Sequence, residues 1–245
     1  MFMLERTSAM INAPRYNGAS PLIADCSMQT LNTTNLLWKY VVAILQDNND
    51  GTPLNHASCK GDIAVGEQLL ATHAERNLTE NNVNCQTTAV FGGHKDVVSA
   101  LVSVGSDVNL QCNDGYSALS VACQEGHIDI VKLMVDNSAE IETRDNEGAT
   151  PLYWAASEGH IEVVQFLIEH HADVNACTRS GVSCLFTAAF GGYTDVVRAL
   201  VSAEADVNLQ RNDGTSPLFA ASVKGHIDIV VFLVHNGAEI ETRNN

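Results

Sequence analysis

Between Thr150 and Ile168 the apolar positions fall into two short groups, each at helical spacing. Leu152, Ala155 and Ala156 follow Thr150-Pro151, where a proline in the first turn gives up an N–H that has no intrahelical partner anyway, so the spacing predicts a short helix. Gly159 ends it. After His160 a second helix is predicted, with Ile161, Val164, Leu167 and Ile168 forming an i, i+3, i+6, i+7 stripe. Glu162, like Asp129 and Asp228 in the same column, sits in that helix's first turn, where a negative charge complements the helix dipole. The small Ala155-Ala156 pair allows close approach of neighbouring elements. Ala172 to Gly181 is polar and turn-rich, and reads as an extended loop.

The same pattern recurs with a period of 33 residues, which decides the fold before any single element does. Gly115, Gly148, Gly181 and Gly214 keep that step, as do Gly126, Gly159, Gly192 and Gly225; Asn109, Asn175 and Asn208 share a column in which Glu142 takes the missing place. Earlier in the chain the pattern is worn. Asn82 replaces a glycine, Gly51-Thr-Pro-Leu is two residues out of step, and Gly18-Ala-Ser-Pro-Leu opens a further unit whose second half has lost the pattern. About seven units result, starting near 18, 51, 82, 115, 148, 181 and 214, after an N-terminal segment, 1–17, expected to be poorly ordered. Residues 82–146 match 181–245 at about 40 of 65 positions, the trace of a three-unit duplication.

Gly-x-Thr-Pro-Leu, Ala-Ala, Gly-His, Val-Val-x-x-Leu and Ala-Asp-Val-Asn, in that order and at that period, resemble the ankyrin repeat. The resemblance covers residues 18–245. It implies an all-α solenoid with short β-hairpin loops, its helix pairs stacked so that hairpin tips and first helices form a concave face. One departure is consistent: the position after Thr-Pro-Leu, usually histidine in the family, is Asn55, Ser120, Tyr153, Phe186 and Phe219. Packing between neighbours is expected to replace the lost bonds; alternatively Tyr153, Phe186 and Phe219, with Trp154, place aromatic surface near the groove as binding anchors.

Charge narrows the partners. With 13 Lys plus Arg against 29 Asp plus Glu the chain carries a formal −16, which disfavours nucleic acid, since binding to its backbone needs cations that release counterions. A protein or peptide with a basic patch fits better. The most apolar stretch, Leu36 to Leu45, is interrupted by Lys39 and too short to span a bilayer, so no membrane insertion is expected, and Glu5 breaks the N-terminal apolar run of a would-be signal peptide. Seven cysteines without a CxxC pair read as free thiols in an intracellular, cytoplasmic or nuclear, protein. Cys112 and Cys177 fall in loops and are expected to be accessible, Cys123 and Cys184 to be packed, and Cys59 is open either way.

No residue set points to catalysis. His127, His160 and His226 repeat in Gly-His-Ile-Asp/Glu, but equivalent side chains in successive units stand about 8–10 Å apart, too far to share a metal. They are expected to hold the turn before the second helix. No cofactor is implied. The columns that vary between units nominate the partner-binding residues: Asn113, Asp114, Tyr116, Gln124 and Glu125; Asn146, Glu147, Ala149, Tyr153, Ser157 and Glu158; Arg179, Ser180, Val182 and Phe190; Asn212, Asp213, Thr215, Val223 and Lys224. Asp114 to Glu158 is acidic, and Arg179, Arg211 and Lys224 follow, so the groove is expected to be amphoteric. By resemblance, Asn109, Asn175 and Asn208 tie loops together and are candidates for hydroxylation by an asparaginyl hydroxylase. The function expected is a non-catalytic protein-interaction scaffold or adaptor; the alternative is a targeting segment of a larger signalling enzyme or ubiquitin-ligase adaptor. The last unit keeps Ile227, Val231 and Phe232 where a polar cap is usual, which leaves self-association open.

Overall fold

The computed structural model describes residues 52–71, 79–80 and 83–240. The N-terminal segment and the unit near residue 18 lie outside the described residues. Contacts divide the chain into two compact parts, Met1–Asn113 and Asp114–Asn245. In the first part, α1 (Pro53–Lys60) and α2 (Ile63–Ala71) form one helix pair, and α3 (Cys85–Phe91) and α4 (Lys95–Ser103) the next. Two-residue strands, β1 (Thr79–Glu80) and β2 (Val83–Asn84), pair antiparallel between them. The second part holds four pairs: α5 (Ala118–Gln124) with α6 (Ile128–Asp136), α7 (Pro151–Glu158) with α8 (Ile161–Glu169), α9 (Cys184–Gly191) with α10 (Thr194–Ser202), and α11 (Pro217–Lys224) with α12 (Ile227–His235).

Each first helix begins in the same way. Thr52, Asn84, Ser117, Thr150, Ser183 and Ser216 have extended backbones, and their side-chain oxygens accept the N–H three residues on, a cap worth about 1 kcal/mol. The caps of the last five pairs are spaced at the full period, whereas Thr52 and Asn84 are 32 residues apart. The offset read at Gly51 therefore divides into one residue missing from the unit and one missing between glycine and cap.

Within Asp114–Asn245 the first helices pack on one another in order, α5 on α7, α7 on α9 and α9 on α11, and the second helices form a parallel layer behind them. Leu152, Ala155 and Ala156 are buried, as their spacing predicts. The second helix differs from expectation: Val163, Val164 and Leu167 are buried, while Ile161 and Ile168 are only half-buried. The core stripe is the Val-Val-x-x-Leu triplet, repeated as Ile130, Val131 and Met134 and as Val196, Val197 and Leu200. Each such side chain contributes roughly 1.5–3 kcal/mol by leaving water.

Successive pairs of this part are also joined by hydrogen bonds. At the loop tips, Asn146 donates to the Asp114 carbonyl at 3.1 Å, Arg179 to Glu147 at 2.8 Å and Asn212 to Ser180 at 3.2 Å, in each case from the backbone N–H. Gly181 is left-handed, with φ of 78°, and a Cβ there would come within 2.6 Å of Asn212 Oδ1. The loops are turns rather than long hairpins; in this part an isolated bridge joins Cys177 to Ser183. At the bases of the loops, the Asp173, Asp206 and Glu239 N–H groups donate to Glu142 Oε1, Asn175 Oδ1 and Asn208 Oδ1 at 2.9, 2.8 and 2.9 Å. Glu142 thus does the work of the asparagine it replaces.

His160 and His226, each before a second helix, reach back to the preceding pair, whereas His127 Nε2 is buried without a hydrogen-bond partner among the described residues. The His160 ring lies over Gly126 with Nε2 2.8 Å from the Gln124 carbonyl, and His226 lies over Gly192 with Nε2 3.2 Å from the Phe190 carbonyl. In the first part His94 repeats this on Gly61 and the Cys59 carbonyl. Tyr193 takes the column between His160 and His226, and its ring rests on Gly159 and Gly191.

Candidate functional site

The variable columns divide into two groups within Asp114–Asn245. Asp114, Tyr116, Asn146, Glu147, Tyr153, Ser180 and Val182 line one open depression of about 540 Å³, with Asp145, Trp154 and Thr178. Gln124, Glu125, Ser157, Glu158, Phe190, Val223 and Lys224 sit at the far ends of the first helices, about 10 Å along each, and do not line it. Asn113 is exposed and belongs to the first part.

Aromatic rings form the depression's inner surface. The Tyr116 and Trp154 ring centroids are 5.3 Å apart and the planes tilted by 35°, while Tyr153 meets Trp154 edge-on at 5.4 Å. The backbone explains the grouping. Tyr116 follows the turn glycine of one unit, and Tyr153 and Trp154 occupy the first turn of α7 in the next, so packing α5 on α7 brings them together.

Trp154 is held by a carboxylate. Its indole Nε1 donates to Asp145 Oδ2 at 3.1 Å, while Oδ1 of the same side chain accepts from the Glu147 and Ala149 N–H groups at 2.8 and 2.9 Å. Asp145 is only 6% exposed, and all three of these donors are neutral. Its charge, with that of exposed Asp114 and Glu147, makes the depression negative. Burial, and then the fields of Asp145 and Asp114, push the Tyr116 phenol above its ordinary range; burial does the same to Tyr153, against a hydrogen bond with Thr187.

Some nominated residues stand elsewhere than expected. Ala149 is 2% exposed and contributes to the floor, not to a contact surface. Phe186 is 8% exposed beneath the Arg211 guanidinium, 5.4 Å from its ring, whereas Phe219 is 42% exposed, so the aromatic column does not present a uniform face. Cys112, expected to be accessible, is buried, with Sγ 3.7 Å from Thr87 Oγ1. Cys123 and Cys184 are fully buried, which pushes both thiols far above their usual range. Asp145 was not legible as a site residue, although its own column, Cys112, Asp145, Thr178 and Arg211, varies as much as those nominated.

Positive charge gathers beyond the depression. Lys224 Nζ lies 4.2 Å from the Phe190 ring centroid, Arg211 pairs with Asp213 at 3.4 Å, and Thr215 donates to the same aspartate. Arg179 is exposed, and Asn212 Nδ2 donates to its carbonyl at 3.0 Å. Among the described residues no group of three or more His, Cys, Asp or Glu is placed to hold a metal ion, and no helix is long and apolar enough to cross a membrane.

Known proteins carry the same pattern. A family model described as ankyrin repeats in three copies matches residues 87–178 and 170–244. The chain is 33% identical over 78 residues to the rat (Rattus norvegicus) "Ankyrin repeat and SAM domain-containing protein 6"; the match takes in 30% of this chain and spans only 9% of that relative's length. The capped helix pairs and the bonded loop bases recur every 33 residues through the matched segment, and the chain belongs to the ankyrin repeat family.

Proposed function

We propose that the chain is a non-catalytic interaction scaffold or adaptor that holds a protein or peptide with a basic patch against the first-helix and loop-tip face of residues 114–182. Ankyrin repeats are generally protein-interaction modules, and the observation that carries the more specific reading is that one group of the residues differing between units, from Asp114 to Val182, lines a single acidic, aromatic depression. The scaffold columns keep the fold constant while these positions change, which is how a repeat array varies its partner. The net charge of −16 supports a cationic partner over nucleic acid, and the free cysteines support an intracellular, cytoplasmic or nuclear, setting. In this reading the chain performs no chemistry and needs no cofactor; Cys123 and Cys184, buried and held protonated, offer no nucleophile.

Reversing charge in two separate pairs tests the site. Asp114→Lys with Glu147→Lys alters the depression, and Glu125→Lys with Glu158→Lys alters the helix ends. Pull-down from lysate is expected to lose its main partners with the first pair and keep them with the second. An unchanged partner set with both pairs overturns the reading.

A targeting segment of a larger signalling protein is the second reading, supported by the much greater length of the rat relative. The full-length transcript separates the two. Self-association is proposed to run through α12, where Ile227 is 74% exposed beside Val231. Hydroxylation is proposed at Asn109, Asn175 and Asn208; mass spectrometry of protein from its native cells showing no added oxygen on the Asn175 peptide removes that idea.

A further inference from the structure

Resting on that reading of the depression as the partner-binding site, we propose that its aromatic pocket takes one cationic side chain, arginine or lysine, from a basic peptide, seated on the Trp154 and Tyr116 ring surfaces between the carboxylates of Asp114 and Glu147.

Three observations carry this. The lining contains three carboxylates, Asp114, Asp145 and Glu147, and no Lys, Arg or His, so its field favours a positive guest. The aromatic surface is the kind that binds cations: ring faces carry negative electrostatic potential, tryptophan most strongly. The Asp145 carboxylate, whose bonds come from neutral donors, also accepts from the Trp154 indole N–H. A hydrogen bond to an anion pushes electron density into the indole, so the buried carboxylate both fixes the ring and strengthens its face as a cation acceptor. Burial first, and then the fields of Asp145 and Asp114, raise the Tyr116 phenol within the pocket.

The pocket is specific to one step of the array. In the next unit Ala149 stands where Tyr116 does, Thr187 where Trp154 does and Thr178 where Asp145 does. The aromatic rings that follow, Phe186 and Phe190, are already covered by cations of the chain itself, Arg211 and Lys224. Those two contacts are internal examples of the interaction proposed for Trp154 and Tyr116. A volume of about 540 Å³ exceeds one side chain and leaves room for the main chain on either side of it.

The test uses the full chain labelled with 15N at the indole nitrogens. Trp38 and Trp154 are its two tryptophans, and the Trp154→Phe variant identifies the Trp154 signal by its loss. The probes are acetyl-Gly-Arg-Gly-amide and acetyl-Gly-Lys-Gly-amide, with citrulline and norleucine versions as neutral counterparts. At least one cationic probe is expected to shift the Trp154 signal saturably in the millimolar range, at least tenfold more tightly than its neutral counterpart. Glu147→Gln is expected to weaken it about threefold, and Tyr116→Leu about fivefold. Circular dichroism confirms that each variant is folded, and Asp114→Asn replaces any that is not.

The proposal is overturned if neither cation moves the Trp154 signal at 50 mM, or if citrulline and norleucine move it equally well. Pull-down that still depends on Asp114 and Glu147 after such a result leaves the surface as the binding site and removes only the cation pocket. Loss of that dependence as well removes both.

Discussion

Ser138, His171 and Glu204 hold φ of 68°, 65° and 66° just past the ends of α6, α8 and α10, in the column that Gly105 and Gly237 fill elsewhere. A side chain with a Cβ is strained there by about 1–2 kcal/mol, and all three are exposed. Replacing His171 or Glu204 by glycine is expected to stabilise by about 0.5–1 kcal/mol each, after the greater freedom of the unfolded glycine is subtracted; urea unfolding followed by circular dichroism measures it. The thiols give a second residue-level prediction. Cys59 is exposed and Cys177 half-buried, with its thiol pushed above the usual range by burial and by Asp173. At neutral pH Cys59 is expected to label with a maleimide within minutes and Cys177 more slowly, with Cys85, Cys112, Cys123 and Cys184 labelling only on unfolding; peptide mapping by mass spectrometry reads the order. Much at this scale was legible: the first-turn proline, the packed Cys123 and Cys184 and the glycine columns all follow from a 33-residue ruler. Cys112 was misread because loop position was taken for exposure, and the exposure of a loop side chain depends on the helix it leans against. Asp145 was missed for a related reason: its partner is an indole nine residues away, and no single column shows the pair.

At the scale of the helix pair, sequence periodicity located both helices and put Val164 and Leu167 in the core, but it overlooked Val163 and placed Ile161 and Ile168 too deep. A stripe at i, i+3, i+6, i+7 puts Ile161 in the core, whereas the residue buried beside Val164 and Leu167 is Val163. The repeated histidine was read as holding its own turn, and the ring in fact secures the preceding pair. His160→Ala removes the Nε2 bond to Gln124 and uncovers Gly126, at an expected cost of about 2 kcal/mol, one hydrogen bond plus part of a buried ring. Thermal unfolding measures it, and a loss below about 0.5 kcal/mol contradicts the bond's role. Tyr193 seats a six-membered ring in the same column, so His160→Phe is expected to restore the packing but not the bond.

Across the whole molecule, sequence reading found the worn N-terminal units, and the structure gives wear a physical form. In the first part Asn55 Nδ2, Ser58 Oγ, Asn84 Nδ2 and Gln86 Nε2 are buried without hydrogen-bond partners among the described residues, each costing about 1–3 kcal/mol. Amides of α1 and α3 are therefore expected to exchange with deuterium at least about a hundredfold faster than those of α7 and α9, a difference that hydrogen-exchange mass spectrometry resolves; equal protection contradicts it. What no ruler along the chain conveys is which junctions are clasped and which merely touch. Between α7–α8 and α9–α10 the seated ring belongs to Tyr193, and a phenol has no imidazole nitrogen to hook the carbonyl that its histidine counterparts reach. Pulled from its two ends, the Asp114–Asn245 part should tear first along that seam, like a zip with one tooth filed smooth.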